Sequence, residues 1–145
     1  MSLLIIVIVV FMLLEFSNVL ALYFRKDSRT ANSVGIFNAW EKSKSDPELH
    51  NFTTYLVDWV AGTKLIFLVL LTAIIIFGTP MMHFWALWAL MISIASFYWK
   101  LYPLAKKMDK EDQITPKGYS RTLGTMITVF IIVFLSVAIY TLIQM

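Results

Sequence analysis

Glu15 is the residue whose type and place most demand a chemical account. It stands between Leu13, Leu14 and Phe16 in an otherwise apolar run. A carboxylate in such a helix costs several kcal/mol unless it is paired, protonated or facing water, so it asks for a partner. Two amines match its depth. At 1.5 Å per residue, Glu15 lies roughly 21 Å along the first apolar run, and Lys64, counted back from Thr79, lies roughly 22 Å from the same face. Lys100, counted from the start of the third apolar run, comes to roughly 25 Å. Asn18 falls one turn beyond Glu15 on nearly the same face. One acid and two amines are therefore expected to share a layer. It serves either as a buried ion pair that ties helices together, or as a site where Glu15 titrates or coordinates a cation or polar head at a cavity open to the cytoplasm. Asp58, nearer the surface, is an entry-level partner of that site or the polar edge of a surface helix.

The elements that position this layer follow from composition. Of 145 residues, 59% are hydrophobic and 14% charged, too few charges to coat a water-soluble body of this size. A hydrocarbon core about 30 Å thick takes about 20 apolar residues of helix. Four runs qualify, over about 2–24, 60–77, 81–102 and 122–145, giving an all-α, four-span membrane domain over 1–145. The Gly78, Thr79, Pro80 turn makes the middle two spans antiparallel neighbours. A cleavable signal is disfavoured for the first run, because no basic segment precedes it and Arg25, Lys26 and Arg29 come directly after it. Lys and Arg fall in two groups of six, Arg25 to Lys64 and Lys100 to Arg121. Both segments, about 25–59 and 103–121, are thus expected in the cytoplasm, with both termini across what is expected to be the plasma membrane.

The first cytoplasmic segment carries helix signals of its own. Asp46 is a good N-cap before Pro47, and Leu49, Phe52, Tyr55, Leu56, Trp59 and Val60 gather on one side of the helix that Pro47 begins. This predicts an amphipathic interfacial helix that runs into the second span with a bend near Gly62. Phe52, Tyr55, Trp59 and Trp99 are expected at headgroup level, and Val34, Phe37 and Trp40 on the membrane surface. In the second segment Asp109, Glu111 and Asp112 dilute the basic residues, so orientation outranks attraction for anionic lipid as its role. Ala86, Ala89, Ser93 and Ser96 form a small-residue seam that Lys100 continues, which predicts that Lys100 points into the bundle; Gly124 and Thr128 give the last span a shorter seam.

Several chemistries are disfavoured. Cysteine is absent, which removes disulfides and thiolate chemistry. The two histidines, His50 and His83, are expected on opposite sides of the membrane, so neither a metal site nor any other cofactor is expected. Phosphate loops and nucleophile elbows are missing, and the basic residues flank apolar spans, where membrane topology and not nucleic acid accounts for them. The layout of four spans, a long first cytoplasmic loop and outward termini resembles that of the membrane-associated eicosanoid and glutathione enzymes, the MAPEG family. The family's Asn and Glu pairing is not reproduced, since Asn51 is succeeded by Phe52, Thr53 and Thr54, so its glutathione chemistry does not carry over. The expected function is that of a small membrane protein within a homo-oligomer or complex with other membrane subunits. It is of transport or channel type around Glu15, Lys64 and Lys100, moving an ion, or else an enzyme or binder of a lipophilic small molecule using Trp59, Tyr98 and Trp99. A purely accessory subunit is the third option.

Overall fold

A computed structural model describes residues 2–30 and 32–144. Six α-helices are present among them: α1 (Leu3–Phe24), α2 (Asn38–Ser43), α3 (Pro47–Phe77), α4 (Pro80–Ala95), α5 (Leu101–Lys110) and α6 (Tyr119–Gln144). Four helical stretches are long and apolar enough to cross a membrane: α1, α3, the α4 to α5 stretch Pro80–Lys110, and α6.

The boundaries come from local chemistry. The Ser2 hydroxyl accepts from Ile5 N at the start of α1. Asp46 Oδ1 accepts from Glu48 N and Leu49 N, with Pro47 at the first helical position, where its missing N–H is not needed. Thr79 and Pro80 repeat the device for α4. At the other end of α3, the Ile74 carbonyl accepts from Gly78 N at 2.8 Å and lies 3.0 Å from the buried His83 Nε2. His83 therefore closes the turn between α3 and α4, and His50, in the first turn of α3, stands at the opposite end of the bundle.

The segment expected as an interfacial helix does run into the second span, as the first part of α3, which is one helix through Gly62. At 31 residues α3 is roughly 46 Å long, about 16 Å more than the thickness of a hydrocarbon core. The third span departs from the expected single helix. It changes to a 3-10 turn at Ser96–Tyr98 and restarts at Leu101. Pro103 explains the break, because its ring displaces the carbonyl four residues back, at Trp99.

The core divides into two apolar clusters. One, towards the Gly78 turn, joins all four spans through residues such as Ile8, Phe11, Leu71, Leu87 and Phe134, with the Phe11 ring 5.5 Å from Phe130 and Phe134. The other joins α1 and α3 through Val19, Leu22, Val57, Ala61 and Leu68.

The two charged loops fold together into a cap at one end. Phe37 and Ile114 form an antiparallel bridge, Asn38 N donates to Gln113 O at 2.9 Å, and Thr115 N donates to Ile36 O at 2.8 Å. Both basic segments therefore lie on the same face of the bundle, as an even number of spans requires. Gly35 is pressed onto the Asp27 and Ser28 backbone, where a Cβ would come within 2.6 Å of Ser28 O, and Ser33 Oγ lies within 3.1 Å of Arg25 O and Lys26 O. Trp40 does not rest on the membrane surface. It is buried in this cap, with Nε1 donating to Asp27 Oδ1 at 2.6 Å and its ring 4.6 Å from that of His50. A buried indole needs an acceptor for its N–H, and the Asp27 carboxylate supplies one. Val34 and Phe37, expected beside it on the surface, are half-buried in the same cap.

Candidate intramembrane polar site

α1 and α3 pack side by side and bring three of the five expected polar residues together. Lys64 Nζ lies 2.7 Å from Glu15 Oε2 and donates to Asn18 Oδ1 at 2.6 Å. Asn18 is buried, and its Nδ2 donates to Asn32 O at 3.3 Å. Asn32 adopts a left-handed conformation, φ 53°, which asparagine tolerates better than most residues, and this turns its carbonyl towards the helix. By helix rise, Glu15 is roughly 18 Å from the start of α1, and Lys64 roughly 20 Å from the end of α3 at the same face of the bundle. The pair stands at the junction of the two apolar clusters, with Phe11 on one side and Val19 on the other.

The pair is not sealed. Glu15 and Lys64 each keep 28% of their side-chain surface exposed. From here to the Gly78 turn the buried face is made of Leu4, Ile8, Phe11, Leu71, Phe84, Leu87 and Phe134. A single chain thus holds a charge pair at depth with an apolar half-bundle beyond it.

Asp58 takes a different partner. Its Oδ1 lies 2.7 Å from Lys26 Nζ, an ionic contact whose angles fall short of a hydrogen bond, and Lys26 also donates to Tyr23 O at 3.4 Å. The α1 to α3 seam therefore carries two ion pairs, the second nearer the cap by about 9 Å along α3. Lys26 and Asn32 were not expected at the site. Lys26 counted only towards orientation, and nothing local in the chain ties a loop asparagine to a helix fourteen residues earlier.

Lys100 does not join the layer. It is exposed, with Nζ 5.9 Å from the Trp99 ring centroid and, among the described residues, no carboxylate within ion-pairing distance. The reason lies in α4. Its bulky side chains, Phe84, Leu87, Leu90 and Met91, fill the core, so Ala89, Ser93 and Ser96 face outward, with Ala86 half-buried. The seam that Lys100 continues is an outer surface of the chain. On α6 the small residues do meet a neighbour. A Cβ on Gly124 would stand 2.8 Å from Tyr102 Cε2, and Tyr98 Oη donates to Gly124 O while lying 2.7 Å from Thr128 Oγ1.

Phe52, Tyr55, Trp59 and Trp99 are all exposed, Trp99 at 77%. One pairing in the cap has the spacing of a nucleophile and its base, Ser43 Oγ at 2.9 Å from His50 Nδ1. Ser43 is fully buried and donates to Trp40 O at 2.7 Å, so it has no access to a substrate. Asp27, which accepts from Lys44 and Trp40, has its pKa held below the ordinary carboxylate value, the Lys44 hydrogen bond being the largest cause. Three or more potential metal ligands do not cluster anywhere among the described residues.

The fold and site thus define a multi-pass helical membrane protein with an ion pair between its first two spans. No family model, curated protein or solved structure matches the chain.

Proposed function

We propose that this chain is a small subunit of a membrane assembly, made of its own copies or of other membrane proteins, in which Glu15, Asn18 and Lys64 form the polar centre of a transport pathway. One observation carries the reading: the Glu15–Lys64 pair stands at hydrocarbon depth with more than a quarter of each side chain uncovered. Uncovered charge at that depth is costly in lipid, so a second protein surface or a water-filled path completes the site. A pathway inside one chain is disfavoured by the apolar cluster beyond the pair, which leaves the interface between subunits as the route. The outward Ala89, Ser93 and Ser96 seam on α4 suits close helix contact with such a neighbour. Asp58 with Lys26 stands at the capped, cytoplasmic mouth, and the substrate is an ion or the polar head of a small molecule.

Liposome flux with wild type and Glu15→Gln tests this, together with mass measurement of the assembly in mild detergent. Altered ion flux is expected from a Glu15→Gln protein that still folds, its melting temperature lowered only by the weakening of one hydrogen bond to Lys64. Loss of folding in Glu15→Gln, with no flux from either protein, would reduce the pair to a structural tie.

A further inference from the structure

The break in the third span leaves an open recess of about 420 Å³ against α6, lined by Tyr98, Tyr102, Arg121, Thr125, Thr128 and Val129. Gly124 forms its floor, with no side chain to narrow it. Counted from Gln144, Arg121 lies roughly 34 Å along α6, and a hydrocarbon core spans about 30 Å. The guanidinium end is thus at phosphate level, Thr125 and Thr128 just below, and Val129 among the acyl chains. Exposed Trp99, beside Tyr98 in sequence, fits the same interfacial level.

The electrostatics single out an anion. The acids of this loop are occupied elsewhere: Asp109 accepts from Gly118 N, Ser120 N and Ser120 Oγ, Asp112 pairs with Lys117 at 2.8 Å, and Glu111 lies 3.9 Å from Lys107. Among the described residues no carboxylate comes within 4.0 Å of Arg121. The dilution of positive charge that the sequence suggests is therefore absent at the recess itself. A guanidinium fork binds phosphate oxygens through two parallel hydrogen bonds, and the Tyr102 and Thr125 hydroxyls add donors at the recess wall, those of Tyr98 and Thr128 being spent on the Gly124 carbonyl.

We infer that this recess binds one anionic phospholipid, its phosphate on Arg121 and an acyl chain along α6 past Val129. Basic pockets between spans on the cytoplasmic side suit such headgroups, and an anionic lipid matches the unpaired charge where a zwitterionic one brings its own cation.

Native mass spectrometry of the full chain in mild detergent tests the site, with phosphatidylglycerol and phosphatidylcholine of identical acyl chains supplied in turn. Wild type is expected to retain one phosphatidylglycerol per chain, and Arg121→Gln to lower that retention about tenfold, the loss of roughly one charge-assisted contact. Arg121 is exposed, so the substitution leaves the fold intact. Thr125→Trp, which fills the recess but keeps the charge, should lower retention similarly, whereas Arg29→Gln, on the first loop and not lining the recess, should not. Equal retention of the two lipids, no loss in Arg121→Gln, or displacement by millimolar inorganic phosphate would each overturn the assignment. The last result would mean that a free anion, and not a lipid, is recognised.

Discussion

Removing the amine from the intramembrane pair should harm the protein more than removing the acid. In Lys64→Met, Glu15 is left at depth without its cation. Breaking a buried ion pair from one side costs about 3–5 kcal/mol, and each side chain here is 28% exposed, so discounting in proportion gives about 2–3.5 kcal/mol. In Glu15→Gln, Lys64 keeps its 2.6 Å bond to Asn18 Oδ1 and meets a neutral acceptor in place of the carboxylate. The expected cost is about 1–2 kcal/mol, that of weakening one hydrogen bond to a charged group. The double variant Glu15→Leu with Lys64→Met removes both charges and should return to within about 1 kcal/mol of wild type. Reversible unfolding in mixed detergent micelles, run on wild type, these variants and the single Glu15→Leu that closes the cycle, measures the coupling. A Lys64→Met cost no larger than that of Glu15→Gln, or a coupling energy under about 0.5 kcal/mol, would refute the idea that the two charges depend on one another.

The cap and the broken span lead to three further outcomes. Gly124→Val should cost about 1–3 kcal/mol in melting experiments, because its Cβ would lie 2.8 Å from Tyr102 Cε2 and the ring that bounds the recess must move. Asp109→Ala removes the acceptor for Gly118 N, Ser120 N and Ser120 Oγ, and should cost about 3 kcal/mol, with faster hydrogen exchange at Gly118 and Ser120 as the local signature. Asp27 has a folded-state pKa lowered from 3.8, so its stabilising bonds to Lys44 and Trp40 are fully present above that value and fade as pH falls through the lower folded one. An acid titration of tryptophan fluorescence should show this transition, and Asp27→Asn should abolish it.

How much of this architecture is legible in the chain depends on the kind of constraint involved. The spans are legible because a bilayer fixes their length, and their ends because capping by Asp46 with Pro47 and Thr79 with Pro80 is local. Depth is legible too: a constant rise per residue sets Glu15 and Lys64 level, and they meet. Azimuth is not. Lys100 has a comparable depth, but which side of α4 faces the core is decided by Phe84, Leu87 and Met91 filling space, and the small-residue rule does not say whether the neighbour is inside or outside the chain. The Pro103 break adds a second rotation that periodicity across the span cannot track. Trp40 departs from expectation for another reason. An aromatic residue near a span suits lipid by type alone, and only the folded loop shows Asp27 waiting for its N–H.

The cap and the charge pair are joined by bonds, which bears on how the site is held. Lys64 donates to Asn18, Asn18 donates to the Asn32 carbonyl, and Tyr119 Oη, at the start of α6, donates to Asn32 Oδ1 at 3.4 Å. The first loop is in turn fixed to the second by the Phe37 and Ile114 bridge. An asparagine in a left-handed turn thus links α1 and α6 at the loop end of the bundle. Apolar packing alone would let α1 slide against α3 in lipid, since lipid tails solvate leucine as well as another helix does. Polar contacts with fixed geometry supply the register that hydrophobicity cannot. The Glu15 carboxylate therefore keeps its register against Lys64 because the loops at that end of the bundle hold Asn18 in place.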